Sequence, residues 1–141
     1  MPNRNASRFQ NILNAQAATG FGSAMNVRAY QNVIIYVSSA SSGDATLDLW
    51  TAIAESDSNP QEPTWATLST TANRMAPQGF WDYNTGLHTT GTTGFVMAGT
   101  DSANARNLLV NVDGIDFINI DVSAYSAGTI SADVRAYTHN S

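Results

Sequence analysis

A chain of 141 residues with 43% hydrophobic residues has the length for one domain with a core of its own, and it needs no second. Its net charge of −5 and pI near 4.6 oppose the basic footprint that DNA or RNA contact requires, so no nucleic-acid partner is expected. The absence of cysteine excludes disulfides and thiolate metal sites, and no apolar run approaches the ~20 residues of a membrane span. No membrane association is expected, and the first 25 residues lack the continuous apolar core of a secretory signal.

Only 12% of the residues are charged, and all six basic residues are arginines, with no lysine. Lysine is a common surface solubiliser that is costly to order, so its absence fits a surface largely packed against something, and fits compositional drift equally.

Residues 1–23 are rich in Asn, Ala and Gln and read as an N-terminal arm, set apart from a β domain over residues 24–141. Ser7 is placed to cap a short helix carrying Phe9, Ile12 and Leu13 on one side, with Gly20 as its stop and Gly20-Phe21-Gly22-Ser23 as a flexible exit. Three turns of helix are marginal alone, so that stripe needs a receiving surface on its own domain or on a neighbouring subunit.

Residues 24–30 read as a strand, and 33–37 and 45–53 as the arms of a hairpin across a Ser/Ala/Gly loop. Pairing Val37 with Ala45 puts Val33, Ile35, Val37, Ala45, Leu47 and Leu49 on an inner face. Ile34, Tyr36 and Trp50 fall on the other, with Trp50 diagonal to Ile34. That second face is too apolar for open solvent and calls for a cover: the arm, a loop or a partner.

The pattern loosens from 55 to 93. Turns are expected at Ser56-Asp57-Ser58-Asn59-Pro60 and Glu62-Pro63, short strands at 65–68 and 80–83, and a loop or weak edge at 84–94. Strands follow at 95–98 and 108–112. A closing hairpin then has Ile118, Ile120, Val122, Ile130, Ala132 and Val134 facing inward, and Asn119, Asp121 and Asp133 facing solvent. The sum is an all-β antiparallel sandwich, jelly-roll-like, of about eight strands.

The closing hairpin echoes the first. At an offset of 85 residues (111 − 26), residues 26–50 match 111–135 through Asn26/Asn111, Val27/Val112, Ile35/Ile120, Val37/Val122, Ser38/Ser123, Ser41/Ser126, Gly43/Gly128 and Asp48/Asp133. Any two hairpins share alternation and a glycine near the turn, so the echo fits both duplication and coincidence. Either way, equivalent hairpins are expected in equivalent places.

The residues offer little chemistry. His88 and His139 lack a sequence neighbour that would orient either as a base, and two histidines without cysteine make a thin metal set. The Glu55-Ser56-Asp57-Ser58-Asn59 run lacks the spacing and terminal Glu of an EF-hand loop and reads as a turn. No phosphate-binding glycine motif, nucleophile elbow or zinc-helix motif is present. No enzyme activity and no cofactor are expected. The rings of Trp50, Trp65, Phe80, Trp81 and Tyr83 fit a core or a subunit interface first, and sugar-stacking platforms second.

Gly94-Phe95-Val96-Met97-Ala98-Gly99-Thr100-Asp101, then residues 106–112, then Tyr125-Ser126-Ala127-Gly128-Thr129 and Val134-Arg135-Ala136-Tyr137 resemble a pattern in small virion proteins of tailed bacteriophages. Phe80-Trp81-Asp82-Tyr83 and Arg28-Ala29-Tyr30-Gln31-Asn32-Val33 extend the likeness, which covers residues 26–137. The resemblance implies a β-sandwich of the head decoration or cement type. Its partners would be the major capsid protein and sister subunits, as a homotrimer on the virion exterior, assembled in the bacterial host cytoplasm. On that reading Arg4, Arg8, Phe9, Ile12 and Leu13 of the arm, with Ile34, Tyr36 and Trp50 of the first hairpin, form the partner-binding set. The alternative is a tail-associated receptor- or glycan-binding module that exposes Trp65 and Trp81.

Overall fold

A computed structural model describes residues 6–53, 62–65, 80–83, 86–89, 95–97 and 105–138. Arg4, His139 and the run 55–59 lie outside the described residues. The described chain is all-β and antiparallel, as expected, with nine strands: β1 (Ala6–Gln16), β2 (Gly20–Phe21), β3 (Met25–Asn26), β4 (Asn32–Ala52), β5 (Phe80–Asp82), β6 (Leu87–Thr89), β7 (Phe95–Met97), β8 (Ala105–Asn111) and β9 (Phe117–Thr138).

Two strands, β4 and β9, are about four times the ordinary strand length, and they pair with each other along their whole extent, from Asn32↔Tyr137 to Ala52↔Phe117. The two expected hairpins are therefore absent: each is one continuous strand that bends in its middle. Alternation fixes which face a residue occupies but is silent about whether its neighbour is the next segment or a distant one. The Ser/Ala/Gly runs read as hairpin loops are the bends. Register shifts fall between Ala40 and Asp44, Asp44 and Ala45, and Thr46 and Leu47, and Gly128 opposite them takes φ 71°. Bulges increase local twist and bend a strand pair, and small residues let the ribbon fold over on itself.

The folded ribbon makes two layers. In the first, the order is β1, the C-terminal half of β9, the N-terminal half of β4, β8, β5 and β6. In the second, β2 and β3 flank the N-terminal half of β9, which pairs with the C-terminal half of β4, and β7 pairs with β4 beyond it. The inner faces meet in one core. Val33, Ile35, Val37, Leu108, Val110, Ile130 and Val134 come from the first layer, and Leu47, Leu49, Ile118, Ile120 and Val122 from the second. Every residue assigned to an inner face from the sequence alternation is buried.

The arm forms no helix. Residues 6–16 are β1, paired antiparallel with the end of β9. Strict alternation cannot send both Ile12 and Leu13 inward, but register shifts between Asn11 and Leu13 and between Leu13 and Gln16 bulge the strand, and Ala15 takes φ 48° there. Ile12 and Leu13 are thereby both buried. A bulge reproduces over one turn the spacing that suggested a helix. Gly20–Ser23, expected to be flexible, instead pins the layers together: the Gly22 N–H donates to the Ile120 carbonyl (2.8 Å) and the Ser23 N–H to the Ile12 carbonyl (3.0 Å). The stretch 84–94, read as a loop or weak edge, contributes β6, which pairs only with β5 among the described strands. Residues 24–30 shorten to β3 and a turn, and Trp65 lies outside any strand.

Candidate partner-binding surface

The two outer faces differ in what covers them. On the second layer, Trp50, Ala52 and Phe117 form a small apolar cluster, and Trp65 closes over it together with Phe21 and Ala24. Phe21 meets Trp50 edge-on at 5.2 Å between ring centroids and lies 6.2 Å from Trp65. The Trp65 indole N–H donates to the Glu62 carboxylate at 2.8 Å, which fixes the segment that carries it. Asn119, expected to face solvent, is buried beside this cluster, its side-chain amide donating to the Gly22 carbonyl at 3.0 Å.

The first layer's outer face has no comparable lid among the described residues. One row of side chains crosses all six strands there: Phe9 opposite Arg135, Arg135 opposite Ile34, Ile34 opposite Leu109, Leu109 opposite Trp81, and Trp81 opposite His88. A parallel row runs Asn11, Asp133, Tyr36 and Asn107, and Tyr83 follows, its N–H bonded to the Asn107 carbonyl at 2.9 Å. Phe9 is 63% exposed, Tyr36 44%, Trp81 39% and Tyr83 54%. Six strands at about 4.8 Å spacing make this face about 24 Å wide.

Several contacts hold it rigid. Asp82 is buried and pairs with Arg106 of β8, which accounts for the anchoring of the short strand β5 and for Trp81 and Tyr83 pointing outward on either side of it. On β1 the Asn11 side-chain amide donates to Asp133 at 2.8 Å and to the Leu13 carbonyl at 2.9 Å, tying the bulged strand to β9. Tyr137, half-buried opposite Asn32, has its phenol pKa raised above 10.0, by burial first and by the neighbouring Tyr83 second. A face of exposed aromatic rings around Arg135, on strands tied together in this way, suits a protein interface, where Trp, Tyr and Arg carry most of the energy.

Of the residues expected to bind a partner, Phe9, Ile34 and Tyr36 lie on this outer face, Ile34 only in part, while Arg8 is exposed at the edge strand but pairs with buried Ala136, on the parity opposite to Phe9. Ile12 and Leu13 are enclosed in the chain's own core, and Trp50 in the cluster under Trp65. Trp50 cannot touch Ile34, because the bend in β4 puts them in different layers. The sequence reading missed Leu109, Trp81, Tyr83 and Arg135 as members of the same surface. Outward parity was readable for each, but their lateral order depends on β9 lying between β1 and β4, which no local signal reveals. Among the described residues, no three His, Asp or Glu side chains gather where they would hold a metal ion.

The same fold occurs in a prophage-derived protein. The crystal structure of the SPBc2 prophage-derived protein YomS superposes with a TM-score of 0.67 at 7% sequence identity, covering 98% of each chain. No family model matches this chain, and no curated protein sequence matches it. At that identity the likeness is one of fold.

Proposed function

We propose that this protein is a structural component of a tailed-phage virion, a decoration protein that binds the capsid exterior and stabilises it without chemistry. The observation that carries the proposal is the open row Phe9, Arg135, Ile34, Leu109 and Trp81, rigidly mounted on one layer while the chain seals the equivalent face of the other layer itself. The fold shared with a prophage-derived protein and the resemblance of residues 26–137 to small virion proteins support it. On this reading the face contacts the major capsid protein, sister subunits complete a homotrimer, and binding only the assembled shell stabilises that state by mass action.

Co-sedimentation with heads that lack the protein tests the proposal. The triple variant Phe9→Ala, Tyr36→Ala, Trp81→Ala keeps its fold, because these rings lie outside the core, and loses head binding. Unchanged sedimentation of a folded triple variant would refute it.

A second reading, a tail-associated glycan-binding module, draws on Trp81, Tyr83 and Tyr36 lying exposed on one flat face. Trp65, the other ring assigned to that role, is buried and unavailable. A glycan array with no hits, on protein that still binds heads, would dismiss this reading.

A further inference from the structure

We infer that this chain is a fused pseudo-dimer: residues 6–52 and 95–138 are two versions of one strand-turn-strand unit related by an internal twofold, and the partner each unit fits is another copy of that unit. The 85-residue offset carries over from sequence to hydrogen bonds, with donor and acceptor units exchanged each time. The Val27 N–H donates to the Asp116 carbonyl at 2.8 Å, and its counterpart Val112 donates to Gln31, the counterpart of Asp116, at 2.8 Å. Gln31 donates to the Tyr137 carbonyl at 3.2 Å, and Asp116 donates to Ala52 at 3.1 Å.

Within each unit the turn is built the same way. The Asn26 side-chain carbonyl accepts from the Arg28 N–H at 3.0 Å, as Asn111 accepts from Asp113 at 2.9 Å. Tyr30 donates to Val27 at 2.9 Å, as Ile115 does to Val112 at 2.9 Å.

Strand pairing obeys the same exchange. Asn26↔Phe117 and Met25↔Ile118 are the images of Asn111↔Asn32 and Val110↔Val33. The β4–β9 ribbon maps onto itself, Asn32↔Tyr137 becoming Phe117↔Ala52. The strands β1 and β7 occupy corresponding places, on β9 and β4 respectively, in different registers. Reciprocal contacts of this kind, in which i meets j and the image of j meets the image of i, are the signature of a twofold pair and not of a linear repeat. Each unit's long strand has the other's as its main neighbour, so neither unit completes a core alone.

The inference gives the open face a reason. Under the twofold, Trp50, Ala52 and Phe117 of the sealed face correspond to Arg135, Tyr137 and Asn32 of the open one. A true homodimer would present two equal faces. In the fused chain the connection between the units supplies Glu62 and Trp65, which close one face and leave the other for a partner.

A protease recognition sequence inserted between Ile53 and Glu62 of the full chain tests the inference. After cutting, the two pieces are expected to elute as one species of the intact mass with unchanged far-ultraviolet circular dichroism. The unfolding midpoint of the cut protein should rise more steeply with protein concentration than that of the intact chain. Mixing unfolded, cut protein of two isotopic compositions and refolding should give hybrids by mass spectrometry.

A circular permutant that opens the chain at the same place and joins the old ends, where Ala6 lies opposite Thr138, should fold as the original does. Pieces that separate in native buffer, or one piece that stays folded alone, would overturn the inference, as would failure of both the insertion variant and the permutant to fold.

Discussion

Gly22 is where the two layers are stitched along one margin, and replacing it with alanine tests the architecture. A Cβ on Gly22 would lie 2.5 Å from the Ile12 carbonyl oxygen, 2.8 Å from Ile12 Cγ2 and 2.8 Å from Leu13 Cδ2. Carbon and oxygen normally approach to about 3.3 Å, so the seam must open by about 0.8 Å. Two of the three atoms belong to side chains already buried in the core, and the third is backbone, so none yields cheaply.

Overpacking of this kind costs about 1–3 kcal/mol. Loosening the Ser23-to-Ile12 hydrogen bond adds about 1 kcal/mol. The expected loss is about 3 kcal/mol, a fall in Tm of about 10 °C for a domain of this size.

Thermal denaturation followed by circular dichroism reads it, with Gly114→Ala as the control. Gly114 has φ 83° but open space around its Cβ position. Alanine there meets no neighbour and takes on only left-handed backbone strain, about 1 kcal/mol. A Gly22→Ala protein that melts within 2 °C or so of the wild type would refute the close seam between β1 and β2.

Other outcomes follow from the same geometry. Asp82→Ala leaves Arg106 without its buried carboxylate and should cost about 3 kcal/mol in urea titration, with Trp81 fluorescence reporting a loosened β5. Ala15→Gly relieves a left-handed residue in the β1 bulge and should stabilise by about 1 kcal/mol on the same assay. Tyr137 binds its proton more tightly folded than unfolded, so its contribution is complete below the ordinary pKa of 10.0 and is lost as pH rises through the raised folded value. Alkaline urea titrations should therefore show a stability loss above pH 10.0 that Tyr137→Phe reduces.

The parity of the long strands was legible residue by residue, because a half-buried strand must alternate and the bends, with no tight two-residue turn, do not interrupt that parity. The pairing was not. A hairpin reading of 33–53 and a single bent strand give the same inner face, and only the match between the two segments hinted that they serve each other. At the N-terminus, Phe9, Ile12 and Leu13 carry a helical spacing that a bulged strand satisfies equally well. The partner surface was half legible: Ile34 and Tyr36 stood out as apolar residues on an outward parity. Arg135, Leu109 and Trp81 join them through cross-strand order, a non-local property. Trp50 looked equally outward and is, but Trp65, far from it in sequence, covers it.

Hydroxyl-radical footprinting of the free protein and of purified virions tests the central claim most directly. The account predicts that Phe9, Tyr36 and Trp81 label in the free protein and are protected on the particle, while Ile53, 72% exposed beyond the second layer, labels in both. Equal labelling of Phe9, Tyr36 and Trp81 in the two states would contradict the assignment of the open face as the capsid-binding surface.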